Sequence, residues 1–119
     1  MAIEEIVKFL EQETEVAESY VLLREIKVIL NVGHDHFHPA IGIKIFRSNV
    51  VSGQPYHFDV SHHIHTPTQA GPYYPSRTFE ESETSAIRQA ISTTVTFLQS
   101  AIHAGHSPSD SWLIKNEDF

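Results

Sequence analysis

The hydrophobic positions of this chain fall in two rhythms, a helical one near each end and an alternating one between them. Ile3, Ile6, Val7 and Leu10 recur at helical spacing, with Phe9 beside the stripe, and predict a first helix that loses its rhythm after about Glu15. Glu4 and Glu5 lie in its first turn, where the helix dipole favours acids. Alternation then takes over. Over Arg24 to Val32, the residues Ile26, Val28, Leu30 and Val32 share one strand face and Lys27, Ile29 and Asn31 the other. Val21 to Leu23 either extends this strand or belongs to the connection before it. After a loop from Gly33 to Pro39, Ala40 to Arg47 alternates again, with Ile41, Ile43 and Ile45 on one side. Ser52-Gly53-Gln54-Pro55 is a turn. Tyr56 to Ile64 is the third strand, with Tyr56, Phe58, Val60, His62 and Ile64 on one face.

Thr66 to Arg77 holds three prolines and a glycine and reads as a long loop. Thr78-Phe79-Glu80-Glu81 fits a capping box, with Ser82 as a competing cap one turn later. The second helix carries Ile87, Ile91, Thr94, Val95, Leu98 and Ile102 on one stripe. Ala86, Ala90 and Ala101 permit close approach to a sheet, Gly105 suits the position after the helix, and Pro108 prevents continuation. Trp112, Leu113 and Ile114 make Ser111 to Phe119 a short strand or a docking arm.

Burial logic assembles these pieces into one α+β domain over residues 1–119: helix, three-stranded antiparallel sheet, helix, with a C-terminal strand or extended tail. Both helices are expected on one sheet face. The other face would carry Lys44, Phe46, His57, Asp59, Ser61 and His63 and be either solvated or a pairing surface.

Composition removes several classes of function. The 119 residues include no cysteine, so disulfides, thiolate nucleophiles and Cys-based zinc sites are out. Met1-Ala2-Ile3-Glu4-Glu5 has no basic region or long apolar run, so no signal peptide is read there and the expected location is cytoplasmic. No apolar stretch reaches the ~20 residues of a membrane span. The net charge of −7 repels phosphate backbones, which argues against nucleic-acid binding. The element order resembles that of double-stranded RNA-binding domains in order alone, since Glu80, Glu81 and Glu83 stand where such a domain offers lysines. No phosphate-binding glycine pattern occurs.

The nine histidines are the compositional signal. His34, His36 and His38 alternate and would share one side if their loop is extended. His63 and His65 form part of a second group at the end of the third strand. Imidazole is a common ligand of zinc and nickel, so these five residues are the candidate metal ligands for zinc or nickel. His57, Asp59 and Ser61 share a strand face but lack a nucleophile elbow, and no catalytic residue is assigned. Tyr73, Tyr74 and Arg77 bring two aromatics and a cation into one loop, and Ile29 and Phe46 are apolar islands on the open face. These five are the candidate binding residues. The leading expectation is a non-catalytic binding or accessory protein acting through a protein partner, including a second copy as a homodimer. The alternatives are a metal-binding protein and an acidic nucleic-acid mimic, the latter from carboxylates around Glu11–Glu18 and Glu80–Glu83.

Overall fold

In the computed structural model, which describes residues 1–119, the elements run α1 (Ile3–Gln12), β1 (Tyr20–Ile29), β2 (Ala40–Ser48), β3 (Tyr56–Val60), β4 (His62–Ile64), β5 (Phe79–Glu80), α2 (Glu83–His103) and β6 (Leu113–Lys115). The α+β class and the antiparallel meander stand. The expected three strands are instead a four-stranded sheet in the order β1-β2-β3-β5 and a separate ribbon of β4 with β6.

The split of the expected third strand has a local cause at Ser61. Its backbone N–H donates to the Gly42 carbonyl at 2.9 Å, while its Oγ accepts from the Gly42 N–H at 2.7 Å. The side chain takes over an acceptor role that the backbone would otherwise fill. Beyond this point the chain leaves β2 and pairs with β6, so that Ile64 lies opposite Leu113.

β2 is the central strand, and its three isoleucines behave as their alternation predicts. Ile41, Ile43 and Ile45 are buried, opposite Val28, Ile26 and Arg24 on one side. On the other side Ile43 faces Val60, and Ile45 faces Phe58. A bulge between Leu22 and Arg24 turns both Leu23 and Arg24 toward this face. Leu23 packs on the core, and the Arg24 Nε donates to Glu83 at the start of α2 at 2.7 Å.

α2 covers this face with Thr94, Leu98 and the three alanines of the expected set, and its large isoleucines lie to the side. Ala86, Ala90, Thr93, Thr94, Leu98 and Ala101 are buried. Ile87, Ile91, Val95 and Ile102 flank the contact and are only half-buried. Small residues let the helix axis lie close to the sheet, and the bulkier ones spread to either side. The buried Thr93 and Thr94 hydroxyls both donate to the Ala90 carbonyl, at 2.9 and 3.2 Å, which removes their polar cost. The N-cap is Ser82, whose Oγ accepts from the Ser85 N–H at 3.1 Å, and not Thr78. Thr78 is kept by the sheet, because its carbonyl accepts from the Phe58 N–H at 3.0 Å.

The two helices do not share one face as expected. α2 packs on β2, β3, β4 and β5, whereas α1 lies beside β1. The only buried residue of α1, Val7, stands outside the main core. Glu4 ties α1 to Arg47 of β2 at 2.6 Å. The arrangement is elongated, 53 × 25 × 24 Å, with a radius of gyration of 16.5 Å. A compact domain of this length would have roughly 13–14 Å. Trp112 fulfils its role as an anchor: it is buried and meets Phe37 edge-on at 6.1 Å. No helix is long and apolar enough to cross a membrane.

Candidate functional site

The longest unpaired edge in the molecule belongs to β1, the outermost strand of the sheet. Register fixes which of its residues face outward. The Leu30 N–H donates to the Pro39 carbonyl at 2.8 Å, and Ser61 N–H to Gly42 at 2.9 Å. The odd residues of β2 therefore direct their backbone groups to β1 and the even ones to β3. In β1, Ile26 and Val28 pair inward, and Glu25, Lys27 and Ile29 hold their N–H and C=O groups outward. Across the bulge, Leu22 opposite Phe46 is outward too. Ile29 is 62 % exposed and Leu22 48 %.

The second sheet face is less open than its polar sequence suggested. The Phe119 ring lies over Gly42 and beneath the Lys44 ammonium, whose Nζ is 4.2 Å from the ring centroid. Asn116 Nδ2 donates to Asp59 Oδ1 at 3.0 Å and to the Val60 carbonyl at 2.8 Å. Next to this strap, Tyr20, Phe46 and Phe79 surround His57, with ring centroids 5.4, 5.8 and 4.6 Å away respectively.

The candidate binding residues scatter. Phe46 is half-buried within that aromatic group and lies opposite Leu22, while Ile29 is opposite Ala40 at the far end of β1. The two apolar islands are therefore separate. Tyr73 bridges to Ile64 and stacks on Phe97 at 4.6 Å, holding its loop to α2. Tyr74 is 63 % exposed and meets His63 in a tilted contact, with ring centroids 4.5 Å apart. Arg77 Nε lies 3.7 Å from Glu80.

The histidines of the first loop do not take the extended form that would align them. Asp35 and His36 form a turn, the His36 N–H donates to His34 Nδ1 at 3.2 Å, and His38 Nε2 approaches the Asp35 carbonyl at 3.2 Å. His65 lies in the ribbon region, where its N–H donates to the Trp112 carbonyl at 2.9 Å. No three His, Asp or Glu side chains converge in metal-holding geometry, so His34, His36, His38, His63 and His65 are not brought together as one ligand set. His57, Asp59 and Ser61 do not join in a relay either. The Asp59 carboxylate is engaged with the Val60 N–H and Asn116. Ser61 Oγ is 2.7 Å from His62 Nδ1 instead.

His57, Asp59 and His63, which the sequence places together on the open sheet face, line one recess. It has a volume of about 250 Å³, and Tyr74, Asn116 and Asp118 are also among its lining residues. The Nδ1 atoms of His57 and His63 are both buried without a hydrogen-bond partner. An unpartnered imidazole nitrogen is tolerable as a bare lone pair and costly as N–H. Burial accordingly lowers the His57 pKa, against smaller opposing effects of Asp59 and the Thr78 backbone. His62 is lowered as well, first by burial, then by Lys115 and His63. Both folded values lie below the unfolded value of about 6.5, so between the two the unfolded chain binds more protons. Stability should be complete above about pH 6.5 and decline as pH falls through that window. Urea midpoints at pH 7.5 and 5 should differ accordingly, and His57→Phe should shrink the difference. An equal difference in that variant would assign the pH dependence elsewhere.

Comparison with family models, with curated proteins and with solved structures finds no match for this chain.

Proposed function

We propose that this chain is a non-catalytic binding or accessory protein that acts through protein–protein contacts, with the outer edge of β1 as its docking edge. The observation that supports this is the unpaired β1 edge carrying exposed Leu22 and Ile29. An open edge is a template for another strand, and apolar side chains alongside it reward its covering. The remainder of the molecule agrees with this reading. The loop aromatic Tyr73 and the tail residue Phe119 are turned to intramolecular packing, and β1 is left as the sheet's long free border.

The test is site-specific photo-crosslinking in the native host. A crosslinker at Ile29 should give a discrete protein adduct, and one at Arg88 on α2 should not. Leu22→Lys should abolish the Ile29 adduct. An Ile29 adduct pattern no different from that at Arg88 would remove the β1 edge as a docking site.

A further inference from the structure

Four outward residues of β1 form a pattern that is complementary to itself. In chain order they are Leu22, Glu25, Lys27 and Ile29: apolar, acidic, basic, apolar. We infer that the partner of this edge is a second copy of the chain, paired antiparallel to β1 about a two-fold axis through Ile26. The inference rests on the edge-docking reading above and gives it a specific occupant.

The register follows by elimination. A two-fold axis normal to the sheet pairs each residue with its mirror position about the axis. Only residues with outward backbone groups can exchange ladder hydrogen bonds. Centring on Glu25 sets Glu25 against Glu25 of the copy, and centring on Lys27 sets Lys27 against Lys27. Like charges directly opposite one another are unfavourable. Centring on Val28 sets Lys27 opposite Ile29 and carries Glu25 past the end of β1 to Asn31, so neither charge meets its complement.

Centring on Ile26 is free of these conflicts. Glu25 meets Lys27 of the copy, and by symmetry Lys27 meets Glu25, each as a pair exchanging two backbone hydrogen bonds. The bulge then becomes informative. Leu23 and Arg24 together occupy one ladder position opposite Ile45, and so would both face Val28 of the copy. That shift sets Leu22 directly opposite Ile29 of the copy, on the same sheet face. Two side chains that are 48 and 62 % exposed in the single chain then cover one another twice over. On the other face Ile26 meets its own mate. Leu23, Ile26 and Val28 are only partly buried, since α2 lies over β2 and β3, and the copy extends the sheet beside them.

The absence of native cysteine makes the test direct. Single Glu25→Cys, Ile26→Cys and Lys27→Cys variants are oxidised mildly. The two residues at position 26 form a non-hydrogen-bonded pair with Cα atoms roughly 4.5 Å apart, within disulfide range. Ile26→Cys should give the dominant covalent dimer. Dominant crosslinking at 25 or 27 would overturn the register. The unmodified protein should sediment as twice its 13.5 kDa mass. Lys27→Glu, its fold checked by circular dichroism, should weaken dimerisation by about tenfold, by turning two attractive cross-strand pairs repulsive. Glu25→Lys/Lys27→Glu should restore it. A chain that stays monomeric at the highest soluble concentration, with no crosslink at 26, would overturn the homodimer. An Ile29 photo-adduct with a different protein would then leave the edge-docking reading standing, whereas no adduct would remove both.

Discussion

Phe58→Ala should destabilise the protein by about 3–5 kcal/mol, among the largest losses expected of a single truncation in the chain. Phe58 is 1 % exposed and sits on β3 directly opposite Ile45, which is itself fully buried. It lies on the face that α2 covers, among side chains that have no solvent-facing direction in which to relax. Removing the ring deletes its transfer free energy and leaves a cavity between helix and sheet. Domains of this size are commonly stable by ~5–15 kcal/mol, so the variant would lose at least about a fifth of that stability. Urea unfolding followed by Trp112 fluorescence measures it, since Trp112 belongs to the same core. A loss under about 1 kcal/mol would mean that the Phe58 site collapses freely. The assignment of this face as a tightly packed core would then be wrong.

Gly42→Val should cost about 1–3 kcal/mol, and the cost should disappear when Phe119 is also truncated. A Cβ at position 42 would come within 3.0 Å of Phe119 Cζ, 3.2 Å of its Cε2 and 3.4 Å of the Ser61 Cβ. The backbone here is an ordinary strand without positive φ, so valine by itself suits the position. What opposes it is the ring seated above. Displacing that ring also breaks its contact with Lys44. The four chains of the double-mutant cycle, wild type, Gly42→Val, Phe119→Ala and both together, would be compared by thermal unfolding. Strong non-additivity is expected. Additive losses would mean that Phe119 does not rest on Gly42 in solution.

The parts of this fold legible in the sequence are those set by period. Ile41, Ile43 and Ile45 announce a strand with one buried face, and that face is buried. Gly105, with φ of 92°, occupies the position past α2 that its sequence context suggested. The parts that escaped are set by single contacts. Phe58, Val60 and Ile64 keep alternating through Ser61, so nothing in hydropathy marks the departure from the sheet. Only the Ser61 hydroxyl taking the Gly42 N–H does so. β5 is two residues long and has no period to detect. On α2 the close approach at Ala86, Ala90 and Ala101 was legible, and what escaped was that Ile87, Ile91, Val95 and Ile102 would flank the contact and not centre it. The β1 edge was legible only in part. Ile29 was visible as an apolar island, but the bulge that brings Leu22 into line with it depends on register against β2. The alternation of His34, His36 and His38 carries no mark of the Asp35–His36 turn that takes this loop out of the extended form.

The ribbon of β4 and β6 bears on the order in which the chain can fold. β1, β2 and β3 are successive neighbours, and each pairing closes a short connection. Ile64 and Leu113 are about fifty residues apart, and closing that loop costs conformational entropy before any contact repays it. α2 lies within the loop and docks on β3 and β4, which shortens the distance the chain must search. The meander is therefore expected to form early, and the ribbon, with the strap of residues 116–119 beyond it, to form last. Loop closure thus predicts that the face Phe119 and Asn116 cover stays bare during folding until the rest of the sheet is in place, which pulsed hydrogen exchange on β2 and residues 113–119 would check.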